Sequence, residues 1–222
     1  MAARATGWLL TTLLFASCVT TSLRGEAPVT SSAEEWVPFP ERTSGGDFIG
    51  FVVASHAASL VGLKSLKARF PKLPDDCTGL VRAAWADVEL DLLEGAEPGD
   101  NGVSAMFRTA QRRDALVEGP PEPGDLIFFR ETYDRNRDGR FNDGLTHVGV
   151  VEAVGDDGTI TYVHRASAGV TRAKVNLREA ARHATSDGTV INDWLRPRSR
   201  LSPAVLGAEL FAGFASARRL TR

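Results

Sequence analysis

Three residues of this chain have the types needed for nucleophilic acyl transfer: Cys77, His147 and His164. A thiol becomes a strong nucleophile once a base takes its proton. An imidazole can take that proton and later return it to a leaving amine, provided a third group fixes its orientation. A second set has different chemistry. In ETYDRNRDGRFNDG, residues 131–144, Asp134, Asn136, Asp138, Arg140 and Asn142 match positions 1, 3, 5, 7 and 9 of an EF-hand calcium loop, with Gly139 at the sharp turn. Side-chain oxygens and, at Arg140, a backbone carbonyl are what a hard cation takes. Position 12, where a bidentate Glu closes such a shell, is Leu145, so Asp143 or water would have to complete it. The same composition also suits an Asx-rich surface hairpin ending in an Asn-Asp-Gly turn.

The elements that would position these groups can be read from the flanking sequence. In PDDCTGLVRAAW, residues 74–85, Pro71 and Pro74 keep the approach extended and Asp75 and Asp76 favour a helix start. Leu80, Val81, Ala84, Trp85 and Val88 then follow Cys77 at helical spacing. Cys77 therefore falls in the first turn, on the side of the buried stripe. The positive end of the helix dipole and unpaired amides there are expected to lower the thiol pKa and to hold an oxyanion. Taken as a residue type alone, a free cysteine fits simple packing equally well.

The histidines belong to a second unit. PEPGDLIFF (121–129) reads as a turn and an apolar strand, and LTHVGVVEAV (145–154), GDDG (155–158) and TITYVHRAS (159–167) read as a β-hairpin. A two-residue Asp156–Asp157 loop would set His164 opposite Gly149 and His147 opposite Ala166, making the histidines diagonal neighbours on one face. A three-residue loop would reverse the parity and separate them. Two histidines on one face, opposite a helix that offers a cysteine, supply nucleophile, base and orienting group.

Four of these segments also resemble, in order, those of the NlpC family of bacterial cell-wall cysteine peptidases. PDDCTGLV is similar to its Asp-Cys-Ser-Gly-Phe-Val segment, PGDLIFF to its Pro-Gly-Asp-Leu-Val-Phe-Phe strand, THVGVV to its His-Val-Gly-Ile-Tyr strand, and YVHRASAGV to its Phe-Val-His-Ala-Ser segment. The resemblance spans residues 48 to 200 and implies a papain-like α+β fold, with the nucleophile at a helix start packed on an antiparallel sheet. It implies hydrolysis of amide bonds in peptidoglycan stem peptides: Cys77 attacks, His147 moves the proton and His164 orients His147. The chain departs from the family where a Tyr and a Trp-Gly-Gly-like segment usually precede the cysteine, since GLKSLKARFPKLP (62–74) has neither, and it leaves the substrate-binding residues unassigned. Thr78 replaces the usual Ser, and the segment 131–144 is an insertion unlike the family.

The rest of the chain bounds the setting. With 222 residues, 43% hydrophobic and 24% charged, one domain with a sizeable core is expected. A formal charge of −2 gives no basic excess for nucleic acid. Residues 1–17 have the build of a secretory signal, and Phe15-Ala16-Ser17-Cys18 resembles a lipobox, which implies lipid on Cys18 and an envelope location. Residues 18–46 read as a flexible tether, 47–200 as the catalytic domain and 201–222 as an amphipathic tail packed on it. FIGFVVASHAASLVG (48–62) reads as a buried helix capped by Gly62, with His56 satisfied by local contacts, and His183 reads as a surface residue of a helix-like stretch 177–185. A monomer is expected, with no cofactor for catalysis and a structural calcium ion in the loop. Two other classes share these features: a non-catalytic peptidoglycan-binding or calcium-stabilised envelope protein, and an acyltransferase using the same three residues.

Overall fold

The computed structural model describes residues 45–200 and 202–222. The expected signal, Cys18 and nearly all of the expected tether lie outside them. The fold is α+β. Helix α1 spans Gly45–Ser59, α2 Cys77–Ala84 and α3 Gly102–Arg112. Six strands form one antiparallel sheet: β1 (Leu116–Val117), β2 (Leu126–Arg130), β3 (Leu145–Val154), β4 (Ile160–Ala166), β5 (Gly169–Val175) and, after a small two-stranded ribbon of β6 (Trp194–Arg196) and β7 (Val205–Leu206), β8 (Phe211–Ala215). Their spatial order is β1-β8-β2-β3-β4-β5, and a last short helix α4 (Ala217–Leu220) follows.

The sheet is buried on both faces. Leu126, Phe128, Val148, Val150 and Val163 pack with the helices, whereas Ile127, Phe129, Val151, Ile160 and Tyr162 form a second cluster with Ala208, Leu210 and Phe214. Burial on both sides explains why LIFF reads as an unbroken apolar run instead of an alternating one. Helix α1 buries Val53, Ala54 and Ala57, with Leu60 buried just past its end, but Phe48 and Phe51 remain exposed, so only one side of the expected buried helix is covered. It ends at Ser59, three residues before the expected cap Gly62, which takes φ +93°, a left-handed conformation that a side chain would disfavour, and donates its amide to the Val170 carbonyl oxygen at 2.9 Å.

Two expectations fail. Residues 201–222 are no appended tail, because β8 lies inside the sheet between β1 and β2, pairing Leu126 with Ala215 and Ile127 with Phe214. The domain therefore continues past residue 200 to the last residues. The apolar residues of this segment happen to fall at helical spacing, and long-range pairing with β2 overrides that local signal. The stretch 177–185 holds only one 3-10 turn, Leu177–Glu179. His183 beyond it is half-buried, its ring stacked on Trp194 with centroids 5.3 Å apart and its Nδ1 2.6 Å from the Asn192 carbonyl oxygen. At the surface His56 Nε2 lies 3.4 Å from an Asp87 carboxylate oxygen.

The β3–β4 hairpin reaches the expected register by an unexpected route. Val150 faces Val163 and Val151 faces Tyr162, the register that makes the histidines diagonal neighbours. Nearer the turn the pairing is one residue out, Ala153 with Thr161 and Val154 with Ile160, because the turn runs from Gly155 to Thr159. An irregularity between Val151 and Ala153, consistent with a bulge at Glu152, restores the parity.

Candidate active site

Helix α2 begins at the nucleophile. The Asp76 side chain caps it, Oδ1 accepting from the Thr78 amide at 2.9 Å, the Gly79 amide at 3.0 Å and the Thr78 hydroxyl at 2.7 Å. Gly79 is required by close approach, since a Cβ there would stand 1.8 Å from the Pro74 carbonyl oxygen. This tight turn puts Cys77 at the first helical position, only 8% exposed. The beginning of β3 is fixed in turn by α3: its capping residue Asn101 donates from Nδ2 to the Leu145 carbonyl oxygen at 2.9 Å.

Cys77 and His147 line one cleft of about 550 Å³, together with Asp75, Asp76, Thr78, Asn101, Tyr133, Arg135, Thr146, Arg165 and Ser167. His164 stands behind His147, His147 Nε2 and His164 Nδ1 being 2.9 Å apart. Both rings belong to an aromatic stack, with His147 6.2 Å from Phe129 and His164 5.3 Å from Tyr162 between centroids. The three residues expected to act together are thus gathered at one place. A larger apolar groove of about 750 Å³, bordered by Phe107, Val117, Val154, Ile160 and Phe211, holds neither thiol nor imidazole, so size alone would misplace the site.

Electrostatics corrects one expectation. The Cys77 pKa is not lowered by its helix start but pushed up to about 11, chiefly by burial, with Asp76 repelling a thiolate and a hydrogen bond from the Val148 backbone opposing the rise. Helix α2 has only eight residues, and its cap already engages two of the amides that would face a thiolate. Burial pulls His147 down to about 3, with His164 adding repulsion, and pulls His164 down to about 4. At neutral pH the site therefore rests as thiol and neutral imidazoles.

That protonation state defines what the pair can do. With Nε2 of His147 engaged by His164, Nδ1 is the nitrogen left to take the thiol proton. For that, His147 must carry its resting proton on Nε2 and donate it to an unprotonated Nδ1 of His164. In that tautomer the 2.9 Å contact suits His164 to orient the His147 ring and to accept from its Nε2–H.

Several cleft residues were read only as local signals, or not at all. In sequence Asp75 signals a helix start, yet its carboxylate accepts from Arg165 Nε at 3.0 Å and Nη2 at 3.2 Å and from the Leu66 amide at 2.9 Å. The Arg165 guanidinium is the main reason its carboxyl lies well below the usual range. This pair straps the approach to α2 onto β4 beside the histidines. A charged residue directly after His164 in an otherwise apolar strand was the available signal. Tyr133 and Arg135 come from the inserted segment, and only the fold reveals that they reach the cleft. Asp134, Asn136, Asp138, Arg140 and Asn142 lie in the same segment, outside the catalytic cleft. There Asp134 accepts from the Asp138 and Gly139 amides, Asn136 Oδ1 from the Asp138 amide and Asp138 Oδ1 from the Arg140 amide.

Among protein-family models, residues 70–166 match the CHAP domain. CHAP domains are typically amidases or peptidases acting on peptidoglycan, and the match is consistent with the NlpC-like, papain-type resemblance of the motifs. No curated protein matches the chain.

Proposed function

We propose that this chain, which carries the CHAP match over residues 70–166, is a cysteine amidase or peptidase that hydrolyses amide bonds in peptidoglycan stem peptides. The observation that carries the reading is the gathering of Cys77 and His147 in one cleft with His164 2.9 Å behind. As the carbonyl carbon is attacked, the Cys77 proton passes to His147 Nδ1. The sulfur–carbon bond forms, and the oxyanion meets the Cys77 amide, the one that the Asp76 cap leaves nearest the nucleophile. Collapse breaks the carbon–nitrogen bond, His147 returns its proton to the departing amine, and a thioester remains. Water, deprotonated by His147, then releases the acid and restores the thiol. Digestion of purified peptidoglycan, with fragments identified by mass spectrometry, tests the reading: wild type should release new amine and carboxyl ends and Cys77→Ala none. Intact wall after prolonged incubation would overturn it.

The proposal extends to setting. The apolar leader and the lipobox-like Phe15-Ala16-Ser17-Cys18 support export with lipid on Cys18, which would tether the domain to a membrane facing its substrate. Radiolabelled palmitate should enter the wild type and not Cys18→Ser; an unlabelled wild type would make the leader a plain secretory signal.

Calcium in the segment 131–144 is also proposed, as a structural ion. The donor set is chemically suited, with oxygens of Asp134, Asn136 and Asp138, the Arg140 carbonyl and Asn142. Among the described residues no three His, Cys, Asp or Glu side chains are gathered to hold a metal by themselves. An ion here would therefore depend on the amide and carbonyl oxygens as well. Asp143, the substitute for the missing Glu, accepts from the Arg135 amide at 2.8 Å and the Asn136 amide at 3.2 Å.

A further inference from the structure

The segment between β2 and β3 is built as a rigid arm. Its base is closed by the Glu131 amide donating to the Gly144 carbonyl oxygen at 2.9 Å, by the Thr132 amide donating to the Thr146 hydroxyl at 2.8 Å, and by a hydrogen bond between the Thr132 and Thr146 hydroxyls at 3.0 Å, both threonine contacts being buried. Arg196 of β6 holds it from outside, Nη1 reaching the Glu131 carbonyl oxygen at 3.0 Å while the guanidinium lies 4.1 Å from the centre of the Phe141 ring. Glu131, Arg137 and Gly139 adopt positive φ values of 55°, 61° and 84°, fixing the turns between these attachments. Asp143 accepts the Arg135 and Asn136 amides and so fixes the backbone from which Arg135 projects.

Arg135 is what this arm delivers to the cleft. Two guanidinium groups line it, and Arg165 is committed to Asp75 in a two-point pair. Arg135 is exposed, and its guanidinium has no hydrogen-bond or ion-pair partner among the described residues. The two acidic side chains lining the cleft are both engaged, Asp75 by Arg165 and Asp76 by the start of α2. Asp76 still repels a thiolate at Cys77 while its Oδ1 caps α2, and Arg135 is the cationic group of the cleft without a hydrogen-bond or ion-pair partner among the described residues. Tyr133, 51% exposed, borders the same cleft two residues away and offers an aromatic wall.

We propose that the inserted segment is a specificity arm, with Arg135 receiving a free carboxylate of an acidic peptide substrate and Tyr133 flanking that subsite. A guanidinium presents a fork of N–H donors that matches a carboxylate. The substrate class is thus a stem peptide with an anionic side chain or end close to the scissile amide, in preference to its amidated counterpart. This deepens the amide-hydrolase reading and rests on it.

Two measurements separate the arm from that reading. The first needs no substrate: alkylation of Cys77 in the full chain by anionic iodoacetate and by neutral iodoacetamide, followed by mass spectrometry of the Cys77 peptide. The ratio of the two rates should fall about fivefold in Arg135→Ala, as expected for one partly screened charge bordering the same cleft, and be largely kept in Arg135→Lys. An unchanged ratio in a folded Arg135→Ala protein overturns the arm. The second compares a stem peptide bearing a free carboxylate with its carboxamide. Wild type should favour the acid through KM, and Arg135→Ala should lose that preference; equal use of both peptides by wild type also overturns the arm. Failure to cleave either peptide would count against the hydrolase reading, and the alkylation ratio would still decide on Arg135.

Discussion

The candidate catalytic residues and the inserted arm meet at one cleft but are held by opposite physics. Cys77 and His164 are buried and His147 is half-buried, and burial suppresses their charge: the thiol is pushed up to about 11 and the imidazoles are drawn down to about 3 and 4. The arm is exposed and polar, shaped by side-chain acceptors folded onto its own amides and by the Arg196 clamp. The proposed function then divides labour between a buried centre that stays neutral at rest and an exposed arm whose fixed charge is the proposed selector of substrate. Each part should therefore fail in its own way when perturbed.

The largest effect is expected at the buried centre. Cys77→Ala and His147→Ala should each lower hydrolysis by on the order of 10⁴-fold or more, with melting temperatures close to wild type, since groups acting as one unit lose nearly everything when one is removed. His164→Ala should cost less, about 10²-fold to 10³-fold, and His164→Asn should recover part of that, because an amide oxygen can also accept the His147 Nε2–H. A His164→Ala enzyme at full rate would reduce His164 to packing and break the proposed proton relay.

Next comes pH. The folded-state pKa values of His147 and His164 lie below the ordinary 6.5, so between that value and about 3 the unfolded chain binds more protons than the folded one. The stability contributed by the neutral pair is complete above pH 6.5 and is lost as pH falls through that window. Asp125 opposes this: burial raises it from 3.8 to about 6, so its neutral form gains stability over part of the same range. Two histidines against one carboxyl leave a net loss. Melting temperature should therefore decline steadily as pH falls below 6, and the acid limb of kcat/KM should fall near the shared titration of the pair, well below 6.5. An acid limb centred at 6 to 7 would mean the pair is not held neutral by burial, and the contrast with the arm would collapse.

How much of this was legible follows the same division. The α2 start, the hairpin and the diagonal histidines could be read because each depends on neighbours within a few residues or on strand periodicity. The register came out right although the turn did not: the bulge at Glu152 compensates a longer loop, and a bulge leaves little trace in sequence. The strand β8 was hidden because only pairing with β2, some 85 residues earlier, makes FAGFA a strand. The sign of the Cys77 shift was missed for a related reason: the dipole argument is local, whereas burial is a property of the whole fold. Asp75–Arg165 and Arg135 escaped notice because their roles depend on contacts across 90 residues or on an arm folding back over the cleft.

The smallest expected effect concerns calcium in the arm, and it sharpens the comparison most. The side-chain oxygens of Asp134, Asn136 and Asp138 already accept amides within the turn, so the arm has an internal hydrogen-bond scaffold that an ion would supplement. With Leu145 in place of the closing Glu, affinity should be that of a weak extracellular-type site, a dissociation constant of about 10⁻⁴ to 10⁻³ M. At about ten times that concentration, binding only the folded state adds roughly 1.4 kcal/mol, equivalent to about 3 to 5 °C in melting temperature for a domain of this size. Chelation by EGTA should therefore lower the melting temperature by only a few degrees and calcium should restore it, and Asp134→Ala combined with Asp138→Ala should behave like the chelated wild type and ignore added calcium. Activity should follow modestly, because the arm joins β3 two residues before His147 and carries Arg135, while Asn101 holds the start of that strand independently. Calorimetry with no heat of binding at millimolar calcium would leave the arm held by hydrogen bonds alone, whereas a collapse of activity on chelation would show that the exposed arm positions the buried centre.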